Sequence, residues 1–113
     1  MPHFIIEYAA PSVPAPENLV KAVFQAACDS QLFTQKDIKV RSYPCNHFMS
    51  GHGEDDFIHV TGYLIAGRSA QQKKHLNQLI LNTLILACPE CANVSVDARD
   101  LDPNTYSKKV ISE

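Results

Sequence analysis

Twice in this chain an alternating apolar stretch leads into an amphipathic helix and then into a second alternating stretch. "HFIIEY" at residues 3–8 is apolar, aromatic and β-branched, and reads as a strand. The proline-rich "APSVPAP" stops it. From Glu17 to about Gln31, Leu19, Val20, Val23, Phe24, Ala26 and Ala27 recur at helical spacing. Pro16 suits the first turn of that helix, where its missing N–H costs nothing. "IKVRSY" at 38–43 alternates again and sets Lys39, Arg41 and Tyr43 on one face. The pattern restarts roughly 55 residues on, a spacing above the usual solenoid periods. "FIHVTGYLI" at 57–65 is the next strand, and Ser69 with Gln72 fits a capping box. The helix behind the box carries Leu76, Leu79, Ile80, Thr83, Leu84 and Ala87 on one face. Pro89 ends it, and "VSVDARDL" at 94–101 alternates as a fourth strand.

Two strand–helix–strand units are two β-α-β units, each of which must pack its helix on the sheet. The expected fold is therefore α/β (α+β in some schemes), a four-stranded sheet with both helices on one face. A chain of 113 residues suits one domain, with pseudo-repeats at about 2–44 and 56–101 and a polar tail at 102–113. The other face of the sheet would present Lys39, Arg41, Ser95 and Asp97 among apolar neighbours, which points to cover by another subunit. The polar tail is expected to reach over the surface or toward that subunit.

Composition removes several classes of function. The net charge is −2 with no basic run, so nucleic acid is not an expected partner. No stretch approaches the roughly 18–20 apolar residues of a membrane span, and no secretory signal opens the chain. A cytoplasmic location follows, where Cys28, Cys45, Cys88 and Cys91 stay reduced. "CPEC" at 88–91 has redox or metal spacing, but it ends a helix, whereas a thioredoxin-like motif begins one. A helix-ending turn is the favoured reading, and no metal site is expected.

Pro2 stands directly behind the initiator methionine. Removal of Met1 would expose a secondary amine, which is either the plain start of a strand or a base. "MPHFIIEY", "DIKVR", "FIHV" and "AGRS…K", in that order and at these separations, resemble the 5-carboxymethyl-2-hydroxymuconate Δ-isomerase family of the tautomerase superfamily. The resemblance runs from Pro2 to about Tyr106. It implies a tautomerase fold, a homotrimer with active sites near subunit boundaries, and no cofactor. It also implies that Pro2 is the catalytic base and that Arg41 and Arg68 bind a small-molecule carboxylate substrate, such as 5-carboxymethyl-2-hydroxymuconate in aromatic catabolism.

The residue chemistry agrees with this picture. A free α-amine has a pKa of roughly 7.7–8, and burial or nearby cations lower it. Arg68 sits between a strand end and a helix start, where a cation opposes the helix dipole. Anion capture there, with the amides of Ser69 and Ala70, explains the placement. The expected reaction is proton transfer on an unsaturated 2-hydroxy or 2-oxo di- or tricarboxylate, with Pro2 as general base and then acid. The alternatives are hydration or dehalogenation, with Glu7 as the early carboxylate, and a non-catalytic binding protein. His3 and His59 are read as packed or hydrogen-bonded. Cys45, His47 and His52 are too scattered for a metal site. Tyr8 could join Glu7 in facing a neighbour or solvent, and Tyr43 and Phe48 could wall the site. Selectivity is expected in the loop between the second and third strands.

Overall fold

The computed structural model describes residues 1–51 and 56–111, so His52 and Gly53 of the long loop lie outside the described residues. β1 (His3–Ala9) passes through a 3₁₀ turn at Ala10–Ser12 into α1 (Pro16–Asp29). A second 3₁₀ turn at Gln35–Asp37 leads into β2 (Lys39–Cys45). β3 (Phe57–Ile65), α2 (Ala70–Ala87) and β4 (Asn93–Leu101) repeat the order. The expected cap is present: the Ser69 hydroxyl accepts from the Gln72 amide at 3.1 Å, and the Gln72 side chain accepts from the Ser69 amide at 2.9 Å. The "CPEC" segment is the helix-ending turn, with the Cys88 amide bonded to Leu84 and the Cys91 amide to Cys88. Among the described residues no helix is long and apolar enough to cross a membrane.

The strands lie in the order β2-β1-β3-β4. β1 pairs parallel with β2 and β3 parallel with β4, while β1 and β3 meet antiparallel at the centre. His3 is therefore opposite both Lys39 and Tyr63. The beginnings of β1 and β2 share one end of the sheet with the finishes of β3 and β4, and that shared end assembles the site.

Alternation divides the sheet cleanly. Phe4, Ile6, Ile58, Val60 and Leu64 point toward the helices and form one core with Leu19, Val23, Leu76, Ile80 and Leu84. Each such aliphatic side chain, fully buried, contributes roughly 1.5–3 kcal/mol. Tyr8 belongs to this core, so it faces neither solvent nor a neighbour. Ala87, expected on the apolar stripe of α2, is exposed, because the last buried residue of the helix is Leu84. The strand residues of opposite phase, Glu7, Arg41, His59 and Asp97 among them, lie on the face away from the helices.

One close approach is built into the centre. Gly62 pairs with Phe4, and a Cβ on Gly62 would stand 2.7 Å from the Phe4 ring. Only glycine leaves room for the aromatic ring there. Phe4 in turn meets Phe33 edge to face at 6.1 Å.

Candidate active site

Pro2 is fully buried, and its carbonyl accepts the Lys39 amide at 3.1 Å, which ties the chain start to the first residue of β2. Next to it, His3 Nδ1 lies 3.1 Å from Arg41 Nη1. Arginine can only donate, so His3 Nδ1 is the acceptor and the ring is neutral. Burial and then the charge of Arg41 hold the imidazole below its ordinary pKa. The alternation expected of "IKVRSY" is what places Arg41 beside β1, two residues along from the Lys39–His3 pairing.

A cleft of about 520 Å³ opens at this end of the sheet. Met1 and His3 form one side of it, and the 3₁₀ turn before β2 contributes Lys36 and Asp37. Lys39 comes from β2 itself. The tail that follows β4 returns across the opening and adds Tyr106, Lys108 and Lys109, with Val110 and Ile111 beyond them. Four lysines against one aspartate make this cleft strongly cationic in a chain whose net charge is −2. The Met1 α-amine is held below its ordinary pKa chiefly by burial and then by Lys108, Lys39 and Arg68, against the opposing charge of Asp37. Pro2, Lys39, Arg68 and the tail thus share one electrostatic environment.

Arg68 reaches this end by a different route. The chain turns at Gly67, whose φ of +139° suits only glycine. The guanidinium then donates to the carbonyls of Ile65 at 3.2 Å and Leu32 at 3.1 Å, and lies over the Phe33 ring at 4.7 Å. Leu32 and Phe33 are presented to it by the turn after α1, where Gln31 adopts a positive φ of 60° and the Ser30 hydroxyl bonds Ala27. Arg68 therefore pins the α1–β2 connection to the β3–α2 connection as well as adding charge near the amine. The Ser69 amide, expected to help capture an anion, is instead occupied by Gln72.

Other candidates lie elsewhere. Glu7 is exposed on the open face, five residues along β1 from Pro2, roughly 16 Å at strand rise. Phe48 packs edge to face on Phe57 at 5.2 Å, at the far end of the sheet, so within one subunit it does not wall the Pro2 cleft. Within one subunit, the described part of the loop expected to set selectivity leaves β2 at that same far end, and the tail lines the cleft beside Met1 and His3. His59 bonds Ser95 at 2.6 Å across the open face, as expected for a packed histidine. The cleft lysines were missed because only the fold brings residues 36–39 and 106–109 together. The visible signal was the "SKK" of the tail, which carries no periodicity.

A second groove, of about 560 Å³, runs between α1 and β2 past Val20, Phe24 and Val40. Its lining adds Ile38, Lys21, Gln25 and Lys39 but has no histidine, cysteine or carboxylate, so it offers no acid–base pair.

Comparisons with known proteins agree on the fold. The family model for 5-carboxymethyl-2-hydroxymuconate isomerase matches residues 2–101. Among solved structures, a 5-carboxymethyl-2-hydroxymuconate isomerase from Deinococcus radiodurans R1 superposes with a TM-score of 0.82 at 20% identity, covering 96% of this chain and 88% of that one. A symmetric trimer of wild-type fused 4-OT superposes at 0.73 with 20% identity, covering 88% and 85%. The FG41 malonate semialdehyde decarboxylase inhibited by 3-bromopropiolate also superposes at 0.73, with 15% identity over 96% and 90%. No curated protein sequence matches the chain.

Proposed function

Because the chain belongs to the 5-carboxymethyl-2-hydroxymuconate isomerase family and is an isomerase, we propose that Pro2, freed by removal of Met1, is the group that moves the proton. The substrate is an unsaturated 2-hydroxy or 2-oxo di- or tricarboxylate, with 5-carboxymethyl-2-hydroxymuconate the leading example. The observation that carries this reading is a cationic cleft lined by Met1 and His3, the residues on either side of a buried Pro2.

An α-amine of ordinary pKa, roughly 7.7–8, is mostly protonated at pH 7 and a poor base. Burial and the cations Lys108, Lys39 and Arg68 lower the α-amine at this chain start. With Met1 gone, the Pro2 nitrogen stands one residue deeper in the same field and gains free base by the same causes. It takes a proton from the 2-hydroxyl or the carbon acid and returns one to carbon, base then acid. The β1 ladder and the Pro2–Lys39 bond hold the amine still, so ordering of substrate against base supplies more of the rate than pKa does. Arg41 and Arg68 complete the arrangement as substrate-binding residues, orienting carboxylates and stabilising charge on the dienolate oxygen. The bonds of Arg68 to Ile65 and Leu32 fix the guanidinium in advance and leave it further N–H groups for a ligand.

The open sheet face carries Arg41, Tyr43, His59 and Asp97 without cover from any described element. A homotrimer covers it, in line with the trimeric fused 4-OT that this chain resembles in fold. The four free cysteines suit a reducing cytoplasm. Hydration or dehalogenation is disfavoured by the position of Glu7, too far along β1 to activate water beside Pro2 of the same subunit.

The test is the ultraviolet decay of 2-hydroxymuconate and its 5-carboxymethyl derivative, using protein whose intact mass confirms loss of Met1. Pro2→Ala is expected to lower kcat/KM by about 10²–10⁴-fold. The rising limb of the pH–rate profile is expected below the ordinary α-amine pKa, since a lowered pKa frees the base at lower pH. Equal rates for the two proteins would sink the assignment.

A further inference from the structure

The family match ends at residue 101, yet the tail beyond it supplies two of the four cleft lysines. Resting on the carboxylate-isomerase reading, we infer that Lys108 and Lys109, with Lys36 and Lys39, form a lysine clamp for the carboxylate of the substrate farthest from the reacting carbons. The tail is thus a specificity element of this chain, selecting substrates with a second or third carboxylate.

Three observations converge on this. First, the lysines come from three separate places in the chain, the 3₁₀ turn, β2 and the tail, and line the same opening. Like charges gathered this way repel one another, and a polyanion relieves that repulsion. The lining has one acid, Asp37, to offset them. Second, none of these four ammonium groups forms an ion pair with a described residue. The ion pairs among the described residues are Lys73–Asp100 and Arg99–Asp97, and Lys39 Nζ makes only a long 3.4 Å bond to the Asp37 carbonyl. Third, Arg68 spends two N–H groups on carbonyls and a face on Phe33, which leaves it enough for one carboxylate, so an extra carboxylate needs other cations. Lysine heads on flexible stems suit a carboxylate on a rotatable methylene, whereas the planar guanidinium suits a fixed one. Lys108 also lowers the α-amine, so the clamp and the base lie within electrostatic reach of each other.

The test uses the full chain with Met1 removed and titrates it by calorimetry with propane-1,2,3-tricarboxylate, and with butyrate as the monocarboxylate comparison. The unmodified protein is expected to bind the tricarboxylate more tightly. Lys108→Ala with Lys109→Ala is expected to weaken the tricarboxylate by about tenfold, the loss of two exposed charge contacts. The paired Lys→Arg variant should restore most of it, and Lys74→Ala, an exposed helix lysine away from the cleft, should change nothing. No tricarboxylate binding by the unmodified protein, or equal binding by the double alanine variant, overturns the clamp. Proton transfer is scored separately: if Pro2→Ala is as active as the unmodified protein, the base assignment fails while the binding result still decides the clamp.

Discussion

The two halves of this molecule share a register and differ in what stands at their ends. Lys39 pairs with His3 across the same 36-residue spacing that joins Asn93 to Phe57. A shift of 54 residues carries buried Phe4 and Ile6 onto buried Ile58 and Val60. The same shift carries Pro2 onto Asp56. Pro2 is buried between Met1 and His3, which line a cationic cleft, while Asp56 accepts the Ser12 hydroxyl at 2.8 Å and its carbonyl accepts from Asn93. The antiparallel junction of β1 and β3 sends these two positions to opposite ends of the sheet. On the proposed reading, duplication of architecture brings no duplication of chemistry, because an amine base needs a freed terminal amine and the position equivalent to Pro2 in the second half is Asp56 inside the chain. Asp56→Asn should leave turnover where it was, in contrast to Pro2→Ala.

The centre of the sheet sharpens the contrast. The pair Phe4–Gly62 at the Pro2 end corresponds to Tyr8–Ile58 at the other. Gly62→Ala drives a Cβ into the buried Phe4 ring, and is expected to cost about 3 kcal/mol in urea unfolding. Ile58→Val, trimming the other end, should cost about 1 kcal/mol. If the two costs come out alike, the close packing at Phe4 is not what distinguishes the ends.

Arg68 has no counterpart in the first half, where the position 54 residues earlier is Pro14. Arg68→Ala removes two charge-assisted bonds to carbonyls and the stack on Phe33, an expected loss of about 2 kcal/mol because the site is only partly buried. Arg68→Lys should recover little of it, since an ammonium cannot span both carbonyls and the ring. A full recovery would mean that charge alone matters at this position.

The smallest expected effect concerns His3, whose counterpart Phe57 does not titrate. Its folded pKa lies below the ordinary 6.5, so in the window beneath 6.5 the unfolded chain binds the proton more readily. That contribution to stability is fully present above pH 6.5 and is lost as pH falls toward the folded pKa. Protonation would also turn Nδ1 into a donor facing Arg41. The drop in Tm between pH 7 and pH 5.5 should be smaller in His3→Gln than in the unmodified chain. Equal drops would show that the His3–Arg41 contact does not control the titration.

Elements with a strong local pattern were legible in the sequence. β3 was expected at 57–65 and forms there, because nine residues alternate without interruption. The capping box named the start of α2. β2 was expected to stop before Pro44 but runs to Cys45, since an edge strand can seat a proline whose missing N–H points away from the ladder. The site was legible only in part. Pro2, Arg41 and Arg68 were singled out one at a time by position, chain start and resemblance. That Arg68 would spend bonds on Leu32, and that the tail would line the cleft beside Met1 and His3, had no local signature.

What the sequence determined by itself was the duplication and the two faces, because apolar periodicity acts over a few residues and survives any packing of the halves. What only the tertiary structure decided was which charges meet. Lys36 and Lys39 are some seventy residues from Lys108 and Lys109. Their meeting depends on strand order and on the central antiparallel pairing, which put the start of β1, the start of β2 and the exit from β4 at one end. Coulombic interaction is set by distance in space, and no spacing along the chain encodes that distance until the sheet has formed.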